Sequence, residues 1–417
     1  MKKVILLSTM ASTLLLATNG DNLIGVGTKS RGMGGAGIAV SHCAESTLSN
    51  PALITCTRGT SVSFGGTIFM PDMSAKMGAG ASHDSAADMN IIPGVAISHK
   101  INENWYTGIG MWGTAGMGVD YRDAPQTATD SGNMHMVSNL QLMQFAPSLA
   151  YSNNNFGVAI TPIIQYGALD INFQNLDGSN VGAGVAQDLG FGLNLGSYYD
   201  FSNGVTLGAV YKSEIDMDYN GQLSTATKPF ADLGMFLNAM DDHLEQPSEI
   251  GIGIGYEIDN RHTFAFDYKR INWSDAKGYK DFGWDDQDVY ALGYQYKADK
   301  WRVRTGYNYA KNPIKEAPSG PASINPGSYS QAAGNALNLF NLLGFPATAE
   351  KHYTLGGGYE FSDNFYIDMA YVYAPKTTTT MNTIVGFNRG TGVLSTGASS
   401  VDHSESSLSF QVSYRFF

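Results

Sequence analysis

The sequence predicts an all-β chain, a transmembrane β-barrel of about fourteen antiparallel strands with an N-terminal plug inside its lumen. Three observations carry this. Large apolar residues alternate with small or polar ones at period two through most of the chain after Ser61. The connections between these segments alternate between short and long. The chain also opens with an export signal, yet no later apolar run is long enough to cross a bilayer as a helix.

The signal comes first. Lys2 and Lys3 precede the apolar run Val4 to Leu16, and Ala17-Thr18-Asn19-Gly20 follows, the layout of a secretory signal peptide. The run is too short for an anchored membrane helix; the alternative is a buried N-terminal helix. Cleavage is expected between Ala17 and Asp21. The expected division is 1–20 signal peptide, 21–58 plug and 59–417 barrel. Composition fits export to an outer membrane: 49 Gly, 23 Tyr and 20 Phe in 417 residues, and only 15% charged residues, against roughly a quarter in soluble chains. Mean hydropathy is −0.15. Outer-membrane lipid and lipopolysaccharide are the expected surroundings. The net charge of −12 argues against nucleic acid, whose phosphates need clustered Lys and Arg.

The first mature stretch, Asn22 to Leu53, is too rich in Gly for a stable helix, since each interior Gly costs about 0.5–1 kcal/mol. It is also too irregular for a strand. Its Leu23, Ile24, Val26, Met33, Ile38, Val40, Leu48 and Leu53 nevertheless supply enough apolar surface to pack against something larger, as a plug wrapped by a sheet would. Gly32, Gly34 and Gly37 spell GxGxxG, but the residues before them are polar and Asn50-Pro51 interrupts any crossover helix, so the dinucleotide reading fails its own context test. Cys43 and Cys56 stand 56 − 43 = 13 positions apart. In an oxidising compartment they would close a loop worth on the order of 3 kcal/mol; otherwise they are two small buried thiols. No CxxC or His pairing points to a metal site.

Strands follow. Ile250, Ile252, Ile254 and Tyr256 alternate with Gly251, Gly253, Gly255 and Glu257; Phe264, Phe266 and Tyr268 with Asp267 and Lys269; Trp301 and Val303 with Arg302 and Arg304. Large apolar residues lie on one face and charges on the other, where a lumen would be. Short turns fall at Ile101–Glu103, Asn153-Asn154, Ser202-Asn203, Asp259-Asn260, Asp299-Lys300 and Ser362-Asp363. Long connections fall at 71–90, 114–136, 174–186, 220–247, 274–285, 312–350 and 376–403. Short on one rim and long on the other is the asymmetry of outer-membrane barrels. The last strand ends in an aromatic, Phe416 or Phe417, of the kind by which barrel-insertion machinery recognises its clients.

Little catalytic chemistry is legible. The eight His are scattered, and neither GxSxG nor HExxH occurs, so the chain does not read as an enzyme and no cofactor is expected. Asp285, Asp286 and Asp288 miss the calcium-loop spacing and read as a solvated loop end. Two long loops carry apolar clusters: Leu233, Met235, Phe236, Leu237 and Met240 in one, and Leu339, Phe340, Leu342, Leu343 and Phe345 in the other. They are either a binding surface for apolar guests or short helices packing together to cap the barrel. The third strand, Asn104 to Gly113, carries Gly108, Gly110 and Gly113, which mark either a kink or room for the plug.

Gly25, Gly27, the run Arg31-Gly32-Met33-Gly34-Gly35-Ala36-Gly37 and Asn50-Pro51-Ala52 resemble the hatch of the FadL family. Gln246-Pro247-Ser248-Glu249, Ile271-Asn272-Trp273-Ser274, Trp301-Arg302-Val303-Arg304 with Gly306-Tyr307, and Leu355-Gly356-Gly357-Gly358-Tyr359 extend the resemblance over nearly the whole mature chain. Members are outer-membrane transporters of long-chain fatty acids and aromatic hydrocarbons and share this strand number. The resemblance implies passive uptake: capture by the outer loops, gating by Gly32, Gly34, Gly35, Gly37, Asn50, Pro51 and Ala52, and a sideways exit at a kinked strand. Fatty acid against hydrocarbon depends on whether a cation such as Arg302, Arg304, Lys212 or Lys269 reaches the pocket. The competing readings are a general porin for small polar solutes and a barrel adhesin or structural protein.

Overall fold

The computed structural model describes residues 18–175 and 177–416; the expected leader before Thr18, and Phe417, lie outside the described residues. Fourteen long strands form the wall. They are β1 Thr60–Lys76, β2 Asn90–Lys100, β3 Trp105–Asp120, β4 Val137–Asn153, β5 Phe156–Gln174, β6 Ala186–Asp200 and β7 Val205–Lys212. Then come β8 Glu249–Ile258, β9 His262–Ile271, β10 Gln287–Lys297, β11 Trp301–Ala310, β12 Lys351–Ser362, β13 Phe365–Asn388 and β14 Val393–Phe416. Each pairs antiparallel with the next. The last returns to the first from Phe416↔Thr60 to Ser400↔Lys76, so the sheet closes on itself.

The alternation reads as expected of a lipid-facing wall. Ile250, Ile252 and Ile254 are 54%, 58% and 42% exposed, and the glycines between them face inward. Their bareness is required, because a Cβ on Gly251 or Gly253 would meet the Ile38 side chain at 2.7 or 2.9 Å. Near the short turns the outward residues become aromatic and pair: Trp105 with Tyr151, Tyr199 with Phe201, Trp301 with Tyr359, and Tyr414 with Phe416. Such a girdle marks the membrane interface at that rim. Asn154, Ser202, Asp259 and Asn260 take positive φ there, as tight hairpins demand.

Several boundaries differ from the sequence reading: the first strand runs past Pro71 to Lys76 and the seventh ends at Lys212. The third strand continues past Gly113 to Asp120, and most of the expected loop 376–403 is a tall hairpin, with Thr378 opposite Asp402 and Thr380 opposite Ser400. Apolar alternation stops where lipid stops, whereas the hydrogen-bonded ladder continues into water with polar residues on both faces. Two of the long connections fold into helices: α1, Gln222–Asp232, between β7 and β8, and α2, Ala333–Leu339, between β11 and β12.

Because Ile252 stands in mid-strand on the outer face, Ile252→Arg should lower the stability of the inserted barrel by about 2–4 kcal/mol. Reversible denaturant unfolding in lipid vesicles measures it. A change below about 0.5 kcal/mol would place that face away from hydrocarbon.

Candidate functional site

The segment before β1 fills the bore and has little regular structure of its own, so most of its backbone groups need partners from the wall. Strand side chains supply them. The Asp267 carboxylate of β9 accepts from the amides of Gly37 and Ile38 at 2.7 and 2.9 Å. Thr354 of β12 accepts from the Gly34 amide at 3.0 Å, and Asn308 of β11 donates to the Gly34 carbonyl at 3.0 Å. Asn50 donates to the carbonyls of Ile38 and Ser197, at 2.7 and 2.9 Å, and accepts from the Ala52 amide at 3.1 Å. It thereby caps the turn Pro51–Cys56 and ties it to β6. Lys29 pairs with Glu45 at 2.6 Å, and Glu45 accepts from Gln411 of β14 at 2.6 Å. Arg31 donates to the Gly25 carbonyl and to Thr67 of β1.

Glycine sets the fit at Gly34 and Gly35. Both take positive φ, and a Cβ on Gly34 would strike the backbone of Leu292 and Tyr307 at 2.7–2.8 Å. The predicted run therefore turns tightly against β10 and β11. Gly32 closes on Gly356 and Gly37 on His42 and Ser49.

The wall has one departure beside this segment. β2 pairs with β3 only from Lys100↔Tyr106 to Gly94↔Trp112. β3 then bulges between Gly113 and Ala115 and continues paired to β4 alone. On the side that β2 has left, Asn22 bridges Ala115 and the Asp21 carbonyl accepts from the Gly116 amide at 3.0 Å. The amino-terminal segment thus stands in for the missing strand. Gly108 and Gly110 are regularly paired, and their inner faces receive Thr47 and Ile54; the irregularity sits after Gly113, at Thr114. The Asn90 amide, the Thr114 hydroxyl and one Asp21 carboxylate oxygen are buried with no hydrogen-bond partner among the described residues.

Asp21 fixes this end. Its buried carboxylate accepts from Tyr279 at 2.5 Å and from Gln246 at 2.9 Å, and burial pushes its pKa up to about 6. Asn22 donates to Glu249 at 3.5 Å, and Glu249 pairs with Lys212 at 3.3 Å. Between Asn22–Val26 and the inner faces of β7 to β9 lies a cavity of about 60 Å³, also lined by Thr114, Lys212 and Lys269. That volume holds a few waters; ligand pockets run to several hundred Å³.

The other sequence-singled residues fall as follows. Cys43 and Cys56 form a disulfide with Cα atoms 5.7 Å apart, closing the loop that contains Asn50, Pro51 and Ala52. Leu339, Phe340, Leu342, Leu343 and Phe345 are buried, and Phe340 packs on Phe173, Phe230 and Phe282. Of the other loop, Met235 is buried, Leu233, Phe236 and Met240 pack against the same apolar cluster, and Leu237 is fully exposed. The two loops therefore meet over the bore. Arg302 pairs with Glu360 and Arg304 with Asp368, away from the cavity, whereas Lys212 and Lys269 line it. Arg270 takes up Asp286 and Asp288. Sequence reasoning passed over Asp21, Asn22, Thr114 and the role of Asp267. The usable signal was the stretch Gln246 to Glu249, whose first residue holds Asp21 and whose last holds Asn22.

Residues 6–322 match the family model described as outer membrane protein transport protein (OMPP1/FadL/TodX). The chain is 23% identical over 421 residues to outer membrane protein P1 of Haemophilus influenzae, covering 88% of this chain and 89% of that one. It is 23% identical over 366 residues to the long-chain fatty acid transport protein of Escherichia coli O6:H1, covering 75% and 80%. The crystal structure of the toluene transporter TodX of P. putida superposes with a TM-score of 0.65 at 16% identity, covering 95% of this chain and 99% of that one, a likeness of fold.

Acid should tighten the Asp21 contact. The docked carboxylate titrates near 6 and an undocked one near 4. Docking is therefore strongest below pH ~4, weakens as pH rises through ~6 and is constant above. Hydrogen exchange of the peptide containing Gly116, corrected for intrinsic rates, should show roughly tenfold or more extra protection at pH 4.5 than at 7.5. Asp21→Asn should remove that difference; equal protection in the wild type would contradict the assignment.

Proposed function

The chain belongs to the outer membrane transport proteins of the OMPP1/FadL/TodX family, and from that membership we infer how it works as a carrier of hydrophobic compounds, fatty acids or aromatic hydrocarbons, across the outer membrane. Such solutes gain nothing from a water-filled pore and a great deal from a succession of apolar sites. The observation that carries the mechanism is the coincidence of two features: a bore filled by residues 18–58, and a β2–β3 parting covered by the leading end of that same segment. In our reading residues 21–58 are the hatch. Solute enters through the loop cluster around Phe340. Displacement of Asp21 and Asn22 frees the cavity and uncovers the edge of β3, and the solute leaves sideways into lipid at Thr114 rather than downward through water. The reading includes no catalytic step. Lipid and lipopolysaccharide around the wall, and recognition of Phe416 or Phe417 by the insertion machinery, belong to it as well.

A general porin would need an open aqueous path, and the fastened segment supports the transporter over it. Expressed in a host lacking its own transporter, the chain should raise uptake of labelled oleate or toluene above the empty host. In vesicles the wild type should admit no arabinose, while Asn50→Ala, which unties the segment from Ile38 and Ser197, should produce measurable swelling. Uptake of neither labelled compound would refute the transport reading.

A further inference from the structure

Resting on that reading, we propose that the Cys43–Cys56 bridge is a thiol–disulfide exchange site facing the periplasm, where a dithiol reductant cuts it and lengthens the leash of the hatch. The bridge joins two points of one segment, 13 positions apart, and its place on the chain decides what it restrains. Cys56 stands just before β1, with only Thr57, Arg58 and Gly59 between it and the wall at Thr60. While the bridge is whole, the leading part of the hatch, up to Cys43, hangs from the wall by those three residues, about 10 Å of extended chain. Once it is cut, the leash runs from Ala44 to Gly59, sixteen residues and about 55 Å. The first length is shorter than the apolar band of about 25 Å that such a wall spans, and the second is about twice it.

The bridge is also within reach. Cys56 is exposed and Cys43 half-buried. Cys56 lies in a groove of about 700 Å³ between the hatch and the wall, lined also by Ser41, Thr55, Tyr198, Asn203 and Asn260. Asn203 and Asn260 belong to the short turns, so the groove opens on the periplasmic rim, and exposed disulfides are the labile ones. Cys43 holds a φ of 58°, a left-handed conformation that residues other than Gly seldom keep without constraint. The exchange balances with the dithiol alone. One thiolate of the reductant attacks the sulfur of Cys56, the Cys43–Cys56 bond breaks, and Cys43 leaves as a thiolate that takes up a proton. The second thiol then displaces Cys56, so two electrons and two protons pass to the hatch and the reductant becomes a disulfide. The bonds of Asn50 to Ile38 and Ser197, and of Thr55 to Tyr198, survive the cut. The reduced hatch therefore still seats, and what changes is how often it is away. The local concentration of a tethered group falls roughly as the −3/2 power of tether length, so sixteen residues in place of three lower it about tenfold.

The test uses the full-length protein in planar bilayers, with dithiothreitol as the dithiol. Without denaturant, dithiothreitol should make both cysteines reactive to a maleimide and raise the frequency of ion-conducting openings about tenfold. Cys43→Ser/Cys56→Ser, its fold checked by heat-modifiable migration in gels, should open as often as the reduced wild type and ignore dithiothreitol. Cysteines that react only after unfolding overturn the exchange site. An unchanged opening frequency in the reduced wild type overturns the leash, and that comparison stands even where the double-serine protein does not fold. A folded double-serine protein as closed as the oxidised wild type, or one that dithiothreitol still opens, overturns it too. If Asn50→Ala shows swelling and reduction changes nothing, this proposal alone falls; if neither opens the barrel, the hatch reading falls with it.

Discussion

In hydrocarbon every backbone N–H and C=O must find a partner inside the protein, and the closed fourteen-stranded ladder meets most of that demand, with a conspicuous gap where β2 parts from β3. There the partners come from the amino-terminal segment, through Asn22 on Ala115 and Asp21 on Gly116. The seal of the wall and the seating of the segment are therefore one interaction. Tyr279 and Gln246, which grip the Asp21 side chain, reach it from the long loops, so the same few atoms join loop, amino-terminal segment and wall.

The segment's attachment is polar and local. Apart from Leu23, which lies in the large apolar cluster, its apolar contacts with the wall are small clusters rich in alanine, such as Ala44, Ala96 and Ala146 around Leu48 and Trp112, or Ala52, Ala150 and Ala159 around Ile54 and Tyr106. The bonds from Asp267, Thr354, Asn308 and Asn50 do the placing. Each is worth about 1 kcal/mol net. The disulfide Cys43–Cys56 makes the Asn50 half of the segment a single unit. The leading half, from Thr18 to Ile38, has no such tie.

The wall was legible because lipid imposes a period of two on residues such as Ile250, Ile252 and Ile254, and because tight turns select Asp259-Asn260 and Asn154. Strand ends were less so: the Thr377–Thr380 ladder stands in water, and there no solvent difference writes itself into the sequence. The hatch glycines could be read as positions needing room, but not which wall atoms needed it. Asp21 and Thr114 were hidden for a different reason. A single carboxylate before a Gly-rich run and a single Thr between glycines have no periodic context; the meaning of Asp21 arises only when Gln246 and Tyr279, more than two hundred positions away, close around it, and that of Thr114 only when β2 parts from β3 beside it.

Coupling between the outer loops and the parting in the wall needs no separate signal. Leu23 belongs to the same apolar cluster as Phe340, Phe230 and Met117, and it follows directly on the two residues that cover β3. On the proposed reading a guest entering among the loop aromatics would disturb the cluster that also holds Leu23, because a close-packed interior has no spare volume. Pulling Leu23 out of the cluster strains Asn22 and Asp21 through the chain itself. On the proposed reading the guest's own burial would offset the broken contacts, so opening would be favoured by solutes with a large apolar surface.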